Sequence, residues 1–232
     1  MLAALLDLVL PRSCAGCAAT GTALCRECRG LLAGAPLGVV RPDPCPPGLP
    51  LVRALSGYDG ALKQLLLAHK EHGRLDLSAP LGVALAGVVA AFGVGDLVLC
   101  PAPSSRAAVR TRGYDHTGRL ARVAAAELGP AVVVRRLLVP ARGVRDQAGL
   151  SSAERARNLH GALRGVTGPP ARVLVVDDVV TTGATLVEAA RTLVAQGHQV
   201  VGAAVLGATR RRSPGLRSPG CGEPLHPGPL EG

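Results

Sequence analysis

From Asp96 onward, short unbroken apolar runs alternate with longer stretches that are apolar on one face only. Leu97–Cys100, Ala131–Val134, Arg172–Val176 and Val200–Leu206 are the runs. Their continuous Val and Leu content predicts strands buried on both faces. Thr117–Leu128, closed by Gly129, predicts a helix, as does the stretch after Val176 to about Gln196. Upstream, Leu51–Ser56 predicts a strand, and Gly57-Tyr58-Asp59-Gly60 turns into a helix running to about His72. Leu77–Phe92 is a further helix. Strands and helices alternating at this spacing predict an α/β fold: a mostly parallel sheet with helices on both faces.

The pattern weakens at both ends and once in the middle. Met1–Leu10 reads as a short amphipathic helix stopped by Pro11. It is too short to cross a membrane and has no basic region before it, so a cytoplasmic protein without membrane contact is expected. Arg41–Pro50 is Pro-rich and reads as a linker. Arg135–Leu150 reads as a long basic loop, and Ser151-Ser152-Ala153-Glu154 as a capping box opening a helix to about Asn158. Beyond Arg212 the chain is Ser, Pro, Gly and Arg, too poor in apolar residues to fold alone. The expected organisation is an N-terminal helix and four-cysteine module over 1–45, the α/β domain over 46–212, and a disordered tail over 213–232.

Composition narrows the chemistry. Of 232 residues, 48% are hydrophobic but only Phe92, Tyr58 and Tyr114 are aromatic, so aliphatics must fill the core. The net charge of +10 rests on arginine, since Lys63 and Lys70 are the only lysines. Such a surface favours anionic partners, either phosphorylated metabolites or nucleic acid. A codon bias toward arginine explains the charge equally well.

Cys14-x-x-Cys17 and Cys25-x-x-Cys28 are separated by seven residues. Two such knuckles can converge tetrahedrally on one structural Zn²⁺. A redox dithiol or a disulfide pair is the rival, disfavoured by the missing secretory signal. Cys45, Cys100 and Cys221 have no partner pattern and read as buried or tail thiols. His69-Lys70-Glu71-His72 lacks the spacing of a metalloprotease site and reads as a solvated helix end.

The segment carrying the chemistry is Val173-Leu174-Val175-Val176-Asp177-Asp178-Val179-Val180-Thr181-Thr182-Gly183-Ala184-Thr185. An apolar strand ends in two carboxylates, and a small hydroxyl-rich turn then opens a helix. Gly183 lets backbone approach an anion. Amides of the turn and helix start can hold a phosphate, with Thr181, Thr182 and Thr185 adding hydroxyls. Asp177 and Asp178 would repel that phosphate and suit sugar hydroxyls or a magnesium-bound diphosphate. A plain strand–turn–helix with a Thr cap is the competing reading, and it does not call for paired acids there.

Along these residues the chain resembles the type I phosphoribosyltransferases, and over most of its length to Arg212 the narrower ComF family of competence-associated relatives. The narrower likeness lies in the cysteine knuckle, Tyr58-Asp59-Gly60 with Lys63 and Lys70, and Pro101-Ala102-Pro103 with Arg106. It continues through Arg112-Gly113-Tyr114 and Asp146-Gln147-Ala148-Gly149-Leu150 with Arg155, Asn158 and Leu159. The resemblance implies that Thr181, Thr182, Gly183, Ala184 and Thr185 hold the 5-phosphate of phosphoribosyl pyrophosphate (PRPP) or a nucleotide. It places Asp177 and Asp178 at the ribose hydroxyls and Ser104, Ser105 and Arg106 at a pyrophosphate loop. Arg142 and Arg145, on a mobile loop over the site, would aid departure of pyrophosphate together with Mg²⁺; a solvated basic loop is an equal reading for them.

Two departures stand out. Asp115-His116 replaces the Asn-Gln common in that family, and only Cys45 follows the first knuckle where relatives often have a second cysteine pair. Three functions follow as expectations: phosphoribosyl transfer, non-catalytic sensing of PRPP or a nucleotide, or an accessory role in DNA uptake with weak, salt-dependent DNA contact. The sequence specifies neither the acceptor nor the oligomeric state.

Overall fold

A computed structural model describes residues 13–34, 38–93, 95–104, 106–141 and 161–209, with the side chains of 106–108 excluded. A short helix α1 (Arg26–Gly34) leads to edge strand β1 (Gly38–Val39), then β2 (Val52–Gly57). Helices α2 (Gly60–Glu71) and α3 (Ser78–Ala90) follow, with a 3₁₀ turn at Leu75–Leu77 between them. Next come β3 (Leu97–Pro101), α4 (Arg106–Arg112), α5 (His116–Leu128) and β4 (Val132–Val134). The remainder is β5 (Leu138–Pro140), β6 (Leu163–Gly165), β7 (Arg172–Val180), α6 (Ala184–Ala195) and β8 (Gln199–Ala208).

Six strands form one sheet in the order β1-β2-β8-β7-β3-β4, parallel except for β1. The expected mostly parallel α/β fold is therefore present. Alternation along the central strands serves two cores. Leu174 and Val176 of β7, with Leu97 and Leu99 of β3, face α2, α3 and α5. Val173 and Val175, with Val98 and Cys100, face α6 and the β5–β6 ladder. With almost no aromatics, leucines do the filling, and helices must come close. At Gly82 of α3 an added Cβ would lie 2.4 Å from Val123 of α5, so the contact requires glycine.

The cysteine segment packs against this body. Cys14, Leu24, Cys28 and Leu32 share one apolar cluster with α2 and α3, and Arg74 donates to the Ala23 carbonyl at 3.3 Å. The Pro-rich stretch also lies on the body: Pro42, Pro46 and Leu49 crowd the turn at Gly183.

Three expectations are corrected. β7 does not end at Val176. It stays paired with β8 through Val180, because Val179-Val180 continue its alternation beside an equally long neighbour, so both acids sit within a strand. The basic stretch from Arg135 is not all loop, since Leu138–Pro140 pairs antiparallel with Leu163–Gly165 and buries Leu137 and Leu138. Cys45 is disulfide-bonded rather than a free thiol. Met1–Leu10, the capping box at Ser151–Glu154 and the tail beyond Arg212 lie outside the described residues.

Candidate functional site

A pocket of about 400 Å³ opens at the carboxyl edge of the parallel sheet, where ligands of open α/β sheets bind. Strand ends supply Tyr58 after β2, Ala102, Pro103 and Ser104 after β3, and Asp177, Asp178 and Val179 of β7. The turn and first residues of α6 supply Thr181 and Thr185. Three helices add Lys70 from α2, Arg112 from α4 and His116 from α5.

Asp177 and Asp178 are neighbours in a strand, so they point to opposite faces and meet different surroundings. Asp178 is 5% exposed and turns toward the helices of the first core. Its Oδ2 accepts from Lys70 Nζ at 2.8 Å and lies 3.3 Å from His116 Nε2, while Oδ1 accepts from the Val179 amide at 2.9 Å. Burial alone would raise this carboxyl. The His116 hydrogen bond and the Lys70 charge outweigh it and hold the group below the usual carboxylate range. Lys70 shows the reciprocal effect: burial opposes its charge, but Asp178 raises it above the ordinary lysine value. Asp177 accepts one hydrogen bond, from the Asp178 amide to Oδ1 at 2.9 Å. Burial, and then the charge of Asp178, push its carboxyl well above the normal value. One acid is thus held ionised, and the other tends toward the protonated form.

The neighbouring histidines are divided in the same way. His69, buried on α2, bonds Ser78 Oγ at 3.0 Å, and burial together with His116 lowers it to about 4. Its carbonyl accepts from Tyr114 Oη, tying the end of α2 to the turn before α5. His116 Nε2 also lies 3.2 Å from Thr117 Oγ1, but buried Nδ1 has no hydrogen-bond partner among the described residues. The Asp115-His116 departure therefore splits into two jobs. Asp115 caps α5 by accepting from the Gly118 amide at 3.0 Å and pairs with Arg136 at 2.8 Å, while His116 serves the pocket.

One end of the pocket is the Thr181–Thr185 turn. Gly183 has φ 76°, a left-handed conformation natural to glycine, and leads directly into α6. A Cβ there would lie 2.7 Å from Leu49 Cδ1. The Thr182 hydroxyl accepts from the Ala184 amide at 3.4 Å. The first amides of a helix have no intrahelical acceptor and carry positive partial charge, so a phosphate suits this place. Thr181 and Thr185 face the pocket, whereas Gly183 and Ala184 are buried in the turn.

The resemblance to phosphoribosyltransferases implies Mg²⁺, and the acid pair does not fit it as a direct ligand. Asp178 already meets two cation-capable side chains and an amide, so a divalent ion would face the Lys70 ammonium at close range. Asp177 leans toward its neutral form, which is a poor metal ligand. Zn²⁺ is different. The sulfurs of Cys14, Cys17, Cys25 and Cys28 all lie within 4.8 Å of one another. The Cys25 amide donates to Cys14 Sγ at 3.3 Å and the Cys28 amide to Cys25 Sγ at 3.4 Å, which favours thiolates. Burial opposes ionisation of Cys14, yet amide donors outweigh it and lower the thiol to about 6. Burial and the neighbouring thiols push Cys28 above its ordinary value. A cation is what lets all four ionise together, and the donor set fits structural zinc.

Of the residues expected from sequence, Asp177, Asp178, Thr181, Thr185 and Ser104 meet in one pocket. Arg106 opens α4. Ser105, Arg142 and Arg145 lie outside the described residues. Sequence reasoning gave no role to Lys70, His116 or Arg112. His69-Lys70-Glu71-His72 is only half the solvated helix end expected: Glu71 and His72 are exposed, but His69 is buried and Lys70 reaches Asp178. The signal available was the period of α2, which puts His69 on the same face as Leu62, Leu65 and Leu66.

Among the described residues no helix is long and apolar enough to cross a membrane. No curated protein matches the chain. Residues 113–217, which include α5, the acid pair and the Thr181–Thr185 turn, match the family model for the phosphoribosyl transferase domain.

Proposed function

We propose that the pocket binds PRPP or a nucleotide through its ribose 5-phosphate, and that the chain is a phosphoribosyltransferase of the ComF kind. The observation that carries this is the meeting, in one pocket, of a glycine turn at a helix start with the carboxylate pair of the strand before it. In this reading the phosphoryl oxygens lie at Thr181–Thr185 and the ring hydroxyls toward Asp177. The match of residues 113–217 to the phosphoribosyl transferase domain points the same way.

Transfer passes through an oxocarbenium-like ribose as pyrophosphate leaves. Ionised Asp178 sits near the place where positive charge develops on the sugar. Lys70 and Arg112 put positive charge on the wall where the leaving group gathers negative charge. Any magnesium enters with the diphosphate as part of the substrate. Incubation with PRPP and a panel of bases, read by pyrophosphate release, tests the reading. Release that needs one base, and is lost in Asp177→Asn, supports transfer. Tight PRPP binding without release from any base reduces the function to sensing.

A further inference from the structure

Resting on the ribose-phosphate reading, we infer that Lys70, with His116 beside it as a second hydrogen-bond partner, is a built-in counter-ion for Asp178 that lets the site bind a ribose 5-phosphate without a divalent cation. Sites that pair carboxylates against a phosphorylated ligand must cancel like charge, and a divalent metal commonly does so. Here the cancelling charge is covalently present. Lys70 Nζ is 2.8 Å from Asp178 Oδ2, and the same oxygen has His116 Nε2 at 3.3 Å. The pair joins α2 to β7 across 108 residues of sequence, so it is a tertiary device rather than a local ion pair.

Two further observations support it. The Lys70 side chain is 33% exposed and lines the pocket, so the ammonium serves the ligand and Asp178 together. His116 also lines the pocket, and its buried Nδ1 has no partner among the described residues. With Nε2–H given to Asp178, that nitrogen is a spare acceptor for a ligand hydroxyl or a water. Lys70 and His116 are therefore positioning residues: they set the charge and geometry of Asp178.

The test is calorimetric titration of the full chain with ribose 5-phosphate, once in a metal chelator and once in excess MgCl₂. The expected affinities agree within about twofold. Lys70→Met is expected to bind about tenfold or more weakly in chelator and to recover in MgCl₂, as the ion takes the vacated place beside Asp178. Lys70→Arg keeps the cation and stays metal-independent. Wild-type binding that requires Mg²⁺ overturns the inference and leaves the ribose-phosphate reading standing. Undiminished binding by Lys70→Met in chelator also overturns it. No binding in either condition overturns both. The wild-type comparison can still overturn the inference where a variant fails to fold.

Discussion

The molecule holds two close clusters of acidic groups and handles them in opposite ways. At the amino end, four thiols gather within 4.8 Å of one another, and the Arg74 charge acts on Cys14 without a hydrogen bond to it among the described residues. At the sheet edge, two carboxylates sit next to each other with an ammonium and an imidazole on one of them. The first cluster needs an external cation to become fully ionised. The second carries its own. On this reading, metal dependence is decided less by how many acids converge than by whether the fold brings a cation from elsewhere.

The largest expected effect breaks the first half of that comparison. Stripping zinc with a strong chelator, or Cys14→Ser, removes what holds the thiolates together. Because Cys14 and Cys28 share a core with α2 and α3, the loss spreads to the body. A fall in melting temperature on the order of 10 °C is expected, with zinc lost from the purified variant. A variant that melts as wild type without zinc contradicts the assignment.

Next is the acid pair. Asp178→Asn strands Lys70 and His116 against a neutral partner and is expected to cost about 3 kcal/mol by denaturant unfolding. The folded carboxyl is depressed, so its stabilisation is full above the ordinary carboxylate pKa and is lost as pH falls through the folded value. Wild-type stability should fall in that acid range, and the fall should be shallower in Asp178→Asn. Asp177 has the opposite sign: its folded carboxyl is raised, so stability declines as pH climbs from the ordinary value toward the folded one. Asp177→Asn should therefore gain about 1 kcal/mol near neutral pH while losing ligand binding. Equal effects of the two substitutions would erase the distinction between them.

A smaller effect isolates the anion turn. Gly183→Val demands a left-handed β-branched residue and collides with Leu49. A cost of about 2 kcal/mol is expected, with phosphate-ligand affinity lost while the zinc content is kept. The smallest effect is Asp115→Ala, about 1 kcal/mol from the lost cap of α5, with pocket binding almost unchanged because His116 keeps its contacts.

Much of this was legible in the chain. Long apolar runs located β3, β7 and β8, and two CxxC pairs located the cysteine cluster, because both signals are local. The Thr181–Thr185 turn was legible for the same reason: its glycine, hydroxyls and the acids before it lie in one short stretch. The counter-ions were not. Lys70 lies 108 residues from Asp178, and no periodicity links a lysine on one helix to a carboxylate on a distant strand. The contrasting behaviour of Asp177 and Asp178 was hidden too, since it follows from the strand running on to Val180 and turning the two side chains to opposite faces. β5 and β6 have three residues each, too few for alternation to be read.

The most direct test of the central claim follows the backbone amides of the anion turn by heteronuclear NMR during titration with ribose 5-phosphate. The account predicts saturable shifts led by Gly183, Ala184 and Thr185, joined by Asp177 and His116 and abolished in Gly183→Val. Shifts confined to other parts of the chain, with the turn unmoved at saturation, would contradict it.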